Sequence, residues 1–161
     1  MTRSSDATRP HRVVFVCTGN TCRSPMAEAV AREWLRTRGV ESIEVASAGI
    51  LAGEGQPASD GARWAASERG LDLDLHRASL LTPEMIACSD LILTMSHSHR
   101  AVVEDQGGEG RTHRLRDYAG EHGDVQDPFG GPDHVYDATF REIQSLVGLA
   151  LERLVQTLNG G

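Results

Sequence analysis

Long apolar runs, paired cysteines and excess positive charge are all missing from this chain of 161 residues, and each absence removes a class of function. No apolar stretch approaches the roughly 20 residues that cross a bilayer, so no membrane partner is expected. Cysteine occurs only at Cys17, Cys22 and Cys88, an odd count that does not suit a disulfide framework. Sixteen basic residues stand against 23 acidic ones, a formal charge of -7 that speaks against a nucleic-acid surface. The opening MTRSSDATRPHR is polar and lacks the apolar centre of an export signal; residues 1–11 are expected to form a flexible tail. Reduced thiols without such a signal point to the cytoplasm. The seven histidines are scattered: His97 and His99 are too close in spacing for one helix face, and His113, His122 and His134 are expected to be solvated in or beside loops. No metal and no other cofactor is expected.

What is present is an alternation of strands and helices. RVVFVC (residues 12–17) reads as a strand buried on both faces. A short turn follows, and Pro25 is expected as a first helical residue, ahead of an apolar stripe through Met26, Val30 and Trp34. Glu28 and Arg32 read as a solvent-side pair, with Gly39 as the stop. SIEVASAG (residues 42–49) alternates like a second strand, and Pro57 is expected to open an alanine-rich helix that Gly70 closes. Residues 89–95 read as a third strand with Cys88 as a core thiol at its entry, followed by a helix over 97–106, a loop at QGGEG and a short fourth strand at THRL. Residues 117–133 are loop by composition, and the chain ends in a helix with Phe140, Ile143, Val147, Leu151, Leu154 and Leu158 on one face. The expectation is one α/β domain over residues 12–161, a four-stranded parallel sheet with helices on both faces, ligands binding at the carboxyl ends of its strands.

The chemistry concentrates in VFVCTGNTCRSPMAE, residues 14–28. A turn this short between a strand end and a helix start directs successive backbone N–H groups, and the helix dipole, onto a tetrahedral oxyanion. Gly19 and Asn20 are residue types that tolerate the left-handed backbone of such a phosphate-binding loop. The same field stabilises a thiolate at Cys17, the form of cysteine that attacks phosphorus. Arg23 offers a planar fork for two phosphoryl oxygens, and Ser24 offers a hydroxyl to the thiolate when it leaves. A general acid is still needed. Asp127, before Pro128, is the candidate, with Asp124 and Asp133 as rivals on spacing alone.

With these motifs, together with SAG at 47–49, LHRAS at 75–79 and DPFGG at 127–131, the chain resembles the low-molecular-weight protein tyrosine phosphatase family from about His11 onward. The resemblance implies a four-stranded parallel sheet and phosphorylated proteins as substrates. It implies Cys17 as nucleophile through a phosphocysteine intermediate, Arg23 as phosphate clamp, and Asp127 as general acid and then base. Thr18, Gly19, Asn20, Thr21 and Cys22 would line the phosphate site, with Phe129 as an aromatic wall. Ser24, Ser47 and His76 would hold Asn20 through a buried network. Cys22 would pair reversibly with Cys17 under oxidation.

Thr21 bears on the substrate. Tyrosine-specific members carry an aliphatic residue there, suited to a phenol ring, whereas CTGNTCRSP resembles the bacterial protein-arginine phosphatases. A hydroxyl beside the planar, polar guanidinium of phosphoarginine is chemically matched; an isoleucine would strand guanidinium nitrogens at a cost of roughly 1–3 kcal/mol. The expected activity is phosphoarginine hydrolysis, with tyrosine phosphatase as the alternative. Two rivals from other classes are a thiol-dependent arsenate reductase, for which a third redox cysteine is missing, and a non-catalytic phosphate-binding or redox-sensing module.

Overall fold

The run VVFV becomes the centre of a sheet in the computed structural model, which describes residues 9–160. Its strands are β1 (His11–Cys17), β2 (Ile43–Gly49), β3 (Leu91–Thr94) and β4 (Thr112–Arg114), all parallel in the order β2-β1-β3-β4. Alternate residues of β1 feed two cores. Val13 and Phe15 face Met26 and Val30 of α1 (Arg23–Thr37) and Phe140, Ile143 and Val147 of α6 (Asp133–Gly160). Val14 and Val16 face the other way, onto Ile86 of α3 (Pro83–Ala87) and Val103 of α4 (His97–Val103). Burying each large apolar side chain contributes about 1.5–3 kcal/mol. The expected fold class is therefore the observed one, and β1, with neighbours reached in opposite directions, ends at the topological switch point.

Several local expectations change. Helix α1 begins at Arg23, two residues before Pro25. Proline fits there as well, because first-turn amides have no intrahelical acceptor to lose. Pro57 does not open a helix: it bridges Arg77, and α2 (Asp60–Ser67) is capped by Ser59, whose Oγ accepts from Ala62 N–H. Helix α4 runs on into a π-helical turn, Glu104–Gly108, that absorbs part of QGGEG; Gly107 sits at φ 106° within it. The short helix α5 (Leu115–Tyr118) enters the stretch expected to be loop, and α3 has no counterpart in the sequence reading. Leu158 is partly exposed rather than core. His113 is half-buried in β4 beside the Tyr118 ring rather than solvated. Residues 1–8 of the expected tail lie outside the described residues; Arg9 already forms an ion pair with Asp90, and His11 opens β1.

Cys88 is exposed, not core. It caps the end of α3 just before β3, so it lies at the amino edge of the sheet, whereas Cys17 ends β1 at the carboxyl edge. The sheet separates the two thiols, which weakens the arsenate-reductase reading further.

Candidate active site

The register pairs Cys17 with Gly49 and Val16 with Thr94, so the loop after β1 emerges at the carboxyl edge of the sheet. Backbone contact fixes it against β2. A Cβ on Gly49 would sit 2.6 Å from Thr18 O and 2.8 Å from Asn20 N. Loop and strand end can approach this closely only because residue 49 has no side chain. Asn20 is the one non-glycine residue among those described with positive φ, at 58°. Gly19, expected to share that conformation, is not in the left-handed region.

Asn20 is held from every side. Its Nδ2 donates to Ser24 Oγ at 2.8 Å and to Ser47 Oγ at 2.9 Å, and its Oδ1 accepts from Ser79 N–H at 2.9 Å. His76 Nε2 is 2.7 Å from its carbonyl oxygen. Ser24 Oγ in turn lies 2.8 Å from Cys17 Sγ. The network extends beyond the expected Ser24, Ser47 and His76 to Ser79 and to Glu28, whose Oε1 accepts from Ser47 Oγ at 2.6 Å. Glu28 also pairs with Arg32, as its spacing predicts, but it is largely buried and faces β2 rather than solvent.

Helices α2, α3 and α4 each have a side chain accepting from the first turn, from Ser59, Thr82 and Ser96. Helix α1 has none at Cys22, so its amides stay available to an anion. A cavity of about 290 Å³ opens there, lined from the loop by Cys17, Thr18, Gly19, Thr21, Cys22 and Arg23 and from across the cleft by Asp127 and Phe129. Two larger grooves, of about 570 and 620 Å³, contain no cysteine.

Arg23 is 6% exposed. Its Nη1 donates to Val125 O at 2.9 Å, its Nη2 lies 3.5 Å from Asp127 Oδ2, and its buried Nε has no protein partner. Asp127 Oδ1 accepts from Phe129 N–H at 3.1 Å, the Asx-type turn that Asp-Pro favours. Its rivals point elsewhere. Asp124 accepts from His97 N–H and Arg114, tying the loop to α4 and β4, and Asp133 is exposed in the first turn of α6. The Thr21 hydroxyl lies 3.9 Å from Cys22 Sγ, and Thr21 lines the cavity. Phe129 is 72% exposed over the opening.

Over residues 12–160 the chain matches the family model described as low molecular weight phosphotyrosine protein phosphatase. The chain belongs to this family. It is 39% identical over 148 residues to a protein-arginine-phosphatase of Geobacillus stearothermophilus, across 90% of this chain and 97% of that one. A low molecular weight protein tyrosine phosphatase of T. tengcongensis superposes with a TM-score of 0.84 at 40% identity, covering 89% and 99% of the two chains. The arginine phosphatase YwlE, in a mutant with a phosphorylated active-site serine, superposes with a TM-score of 0.85 at 37% identity, covering 90% and 96%.

Two further side chains at this family site had no sequence signal. Tyr136, from α6, lies against α2 where a Cβ on Gly61 would overlap its ring, and its hydroxyl is 3.5 Å from Cys22 Sγ. Burial, with the Cys22 sulfur alongside, pushes the phenol up to about 12, so it stays neutral. His99, from α4, is buried with Nε2 2.8 Å from Thr18 Oγ1. Neither contact is legible from spacing, because each partner lies more than 80 or 100 positions away. Among the described residues no cluster suits a metal ion, and no helix is long and apolar enough to cross a membrane.

Proposed function

We propose that this protein removes phosphate from phosphoarginine in protein substrates, through a phosphocysteine intermediate. The observation that carries the reading is the composition of the cavity wall: Thr21, which bears a hydroxyl, and Asp127, which bears a carboxylate, both line the cavity that holds Cys17. A guanidinium entering there meets hydrogen-bonding groups, and selectivity built on such bonds is large because an unmatched substrate leaves them unpaired. The protein-arginine-phosphatase relative supports the same choice.

Cys17 Sγ attacks phosphorus in line while the loop amides and Arg23 hold the equatorial oxygens. The P–N bond breaks, and its electron pair stays on the guanidine nitrogen, which takes a proton from solvent water at the open cleft. A P–N nitrogen protonates more readily than a phenolate leaves, so Asp127 acts chiefly by orienting the guanidinium. In the second step Asp127 accepts a proton from water as the oxygen attacks phosphorus, the S–P bond breaks, and Ser24 Oγ donates to the departing Cys17 thiolate. Reversible pairing of Cys22 with Cys17 under oxidation belongs to the same proposal: both thiols are reduced and line one cavity.

A tyrosine phosphatase is the second reading, favoured by Phe129, whose exposed ring at the opening suits a phenol. Phosphate release from phosphoarginine and phosphotyrosine peptides, measured side by side for wild type, Cys17→Ser and Thr21→Ile, separates the two. A preference for phosphoarginine that Thr21→Ile reverses is the expected result. A phosphotyrosine preference indifferent to Thr21 would return the protein to the second reading, and turnover surviving Cys17→Ser would overturn both.

A further inference from the structure

One buried titratable group beside the cavity takes no part in the chemistry above. His99 is 2% exposed on α4, and Thr18 Oγ1 is the one hydrogen-bond partner of its ring. Its other ring nitrogen, Nδ1, is buried with none. Thr18 lines the cavity next to Cys17.

A neutral imidazole carries one N–H and one bare nitrogen, and the two tautomers leave different orphans here. With the proton on Nδ1, a buried N–H has no acceptor. With the proton on Nε2, the N–H donates to Thr18 Oγ1 and only a lone pair is unmatched. Buried orphan donors are rarer in folded proteins than under-satisfied acceptors, which assigns the proton to Nε2. The consequence falls on Thr18: its oxygen accepts from His99, so its own proton is free to donate elsewhere.

We propose that His99 is a positioning residue of the phosphate site, holding the Thr18 hydroxyl so that its proton points to a phosphoryl oxygen. The loop then offers a side-chain donor in addition to its backbone amides and Arg23. This rests on the phosphatase reading, but not on the choice of phosphoarginine. The charges facing the ring support a neutral state: burial first, then the Arg23 guanidinium, disfavour protonation, and the carboxylates of Asp124 and Asp127 offset this only in part, leaving the group near about 4. A proton on Nδ1 would have no acceptor.

The test uses p-nitrophenyl phosphate turnover, with inorganic phosphate as competitive inhibitor, for wild type, Thr18→Val, His99→Leu, His99→Gln and the Thr18→Val/His99→Leu double variant. Glutamine sets an amide N–H near the position of Nε2, whereas leucine removes the donor. Thr18→Val and His99→Leu are each expected to weaken phosphate inhibition and lower kcat/KM roughly tenfold. The double variant should lose no more than either single one, since both remove the same donor. His99→Gln should recover activity to within about threefold of wild type. Losses that multiply, or a glutamine variant as poor as leucine, would reduce His99 to packing and overturn the proposal. So would a Thr18→Val variant with wild-type phosphate inhibition, a result that stands even if His99→Leu fails to fold. A wild type that prefers phosphotyrosine would remove the arginine reading and leave this test intact; a wild type that neither cleaves the aryl phosphate nor binds phosphate would remove both.

Discussion

Asn20 is held at φ 58°, a backbone conformation costing a non-glycine residue roughly 1–2 kcal/mol, and its side chain and carbonyl are bonded to Ser24, Ser47, Ser79 and His76. Those bonds hold the loop in this conformation against its cost. Ser24 joins this network to the sulfur of Cys17, so in the proposed mechanism its loss acts on the second step, when the thiolate departs. Ser24→Ala is expected to slow kcat roughly ten- to hundredfold while the first turnover stays fast, giving a burst of leaving group in rapid-mixing experiments. A uniform slowing without a burst would assign Ser24 to loop shape alone. Cys17, Asn20, Arg23 and Ser24 were legible because they fall within eight consecutive positions whose chemistry is local. Glu28 was misread for the opposite reason: its spacing to Arg32 is visible in one helix, but its bond to Ser47 crosses from α1 to β2.

Among the elements, the contact between the loop and the end of β2 sets the geometry of the cradle. The atoms that a Cβ on Gly49 would meet are backbone, Thr18 O and Asn20 N, and neither can swing aside. Gly49→Ala is therefore expected to displace the loop, costing about 1–3 kcal/mol of stability and most of the turnover. Thermal unfolding and kcat/KM measured together check this; a variant with normal kcat/KM would mean the loop can relax without harm. The helix signals were legible to different degrees. Thr82-Pro83-Glu84 is a cap, a first-turn proline and a first-turn acid, so α3 was available to a closer reading of the chain. Pro57 was misleading because Ser59, two residues on, is the better cap and proline fits the bridge to Arg77 equally well. The π-helical turn after α4 had no signal beyond its glycines.

For the whole molecule, acid sensitivity follows from one buried and one half-buried imidazole. His99 falls from 6.5 to about 4 in the fold, and His113 is lowered by burial, then by Arg100 and Arg153. At pH values between the unfolded and folded pKa, the unfolded chain binds a proton that the folded protein excludes. Stability is complete above pH 6.5, declines as the pH drops toward 4, and levels off below the folded pKa; His99 alone accounts for roughly 3 kcal/mol. Asp137 works in a lower window, held down by its hydrogen bond from Arg69, and loses its contribution only as the pH falls through the depressed carboxylate value. Denaturant midpoints at pH 7.5 and 4.5 should separate less for His99→Gln than for wild type. An equal separation would mean that His99 accepts a proton in the folded state.

The sequence by itself determined the alternation of strands and helices, the strand-to-helix turn that carries Cys17 and Arg23, and hence the family and its class of chemistry. These are periodicities and motifs a few residues long, dictated by local geometry. Tertiary structure alone decided which of Asp124, Asp127 and Asp133 borders the Cys17 cavity, that Glu28 holds Ser47, that His99 meets Thr18, and that Cys88 lies across the sheet from the site. The reason is that side-chain distance depends on how parallel strands order and how helices cross them. In a sheet ordered β2-β1-β3-β4, residues 20 to 100 positions apart become neighbours at one carboxyl edge, and no local pattern records which ones.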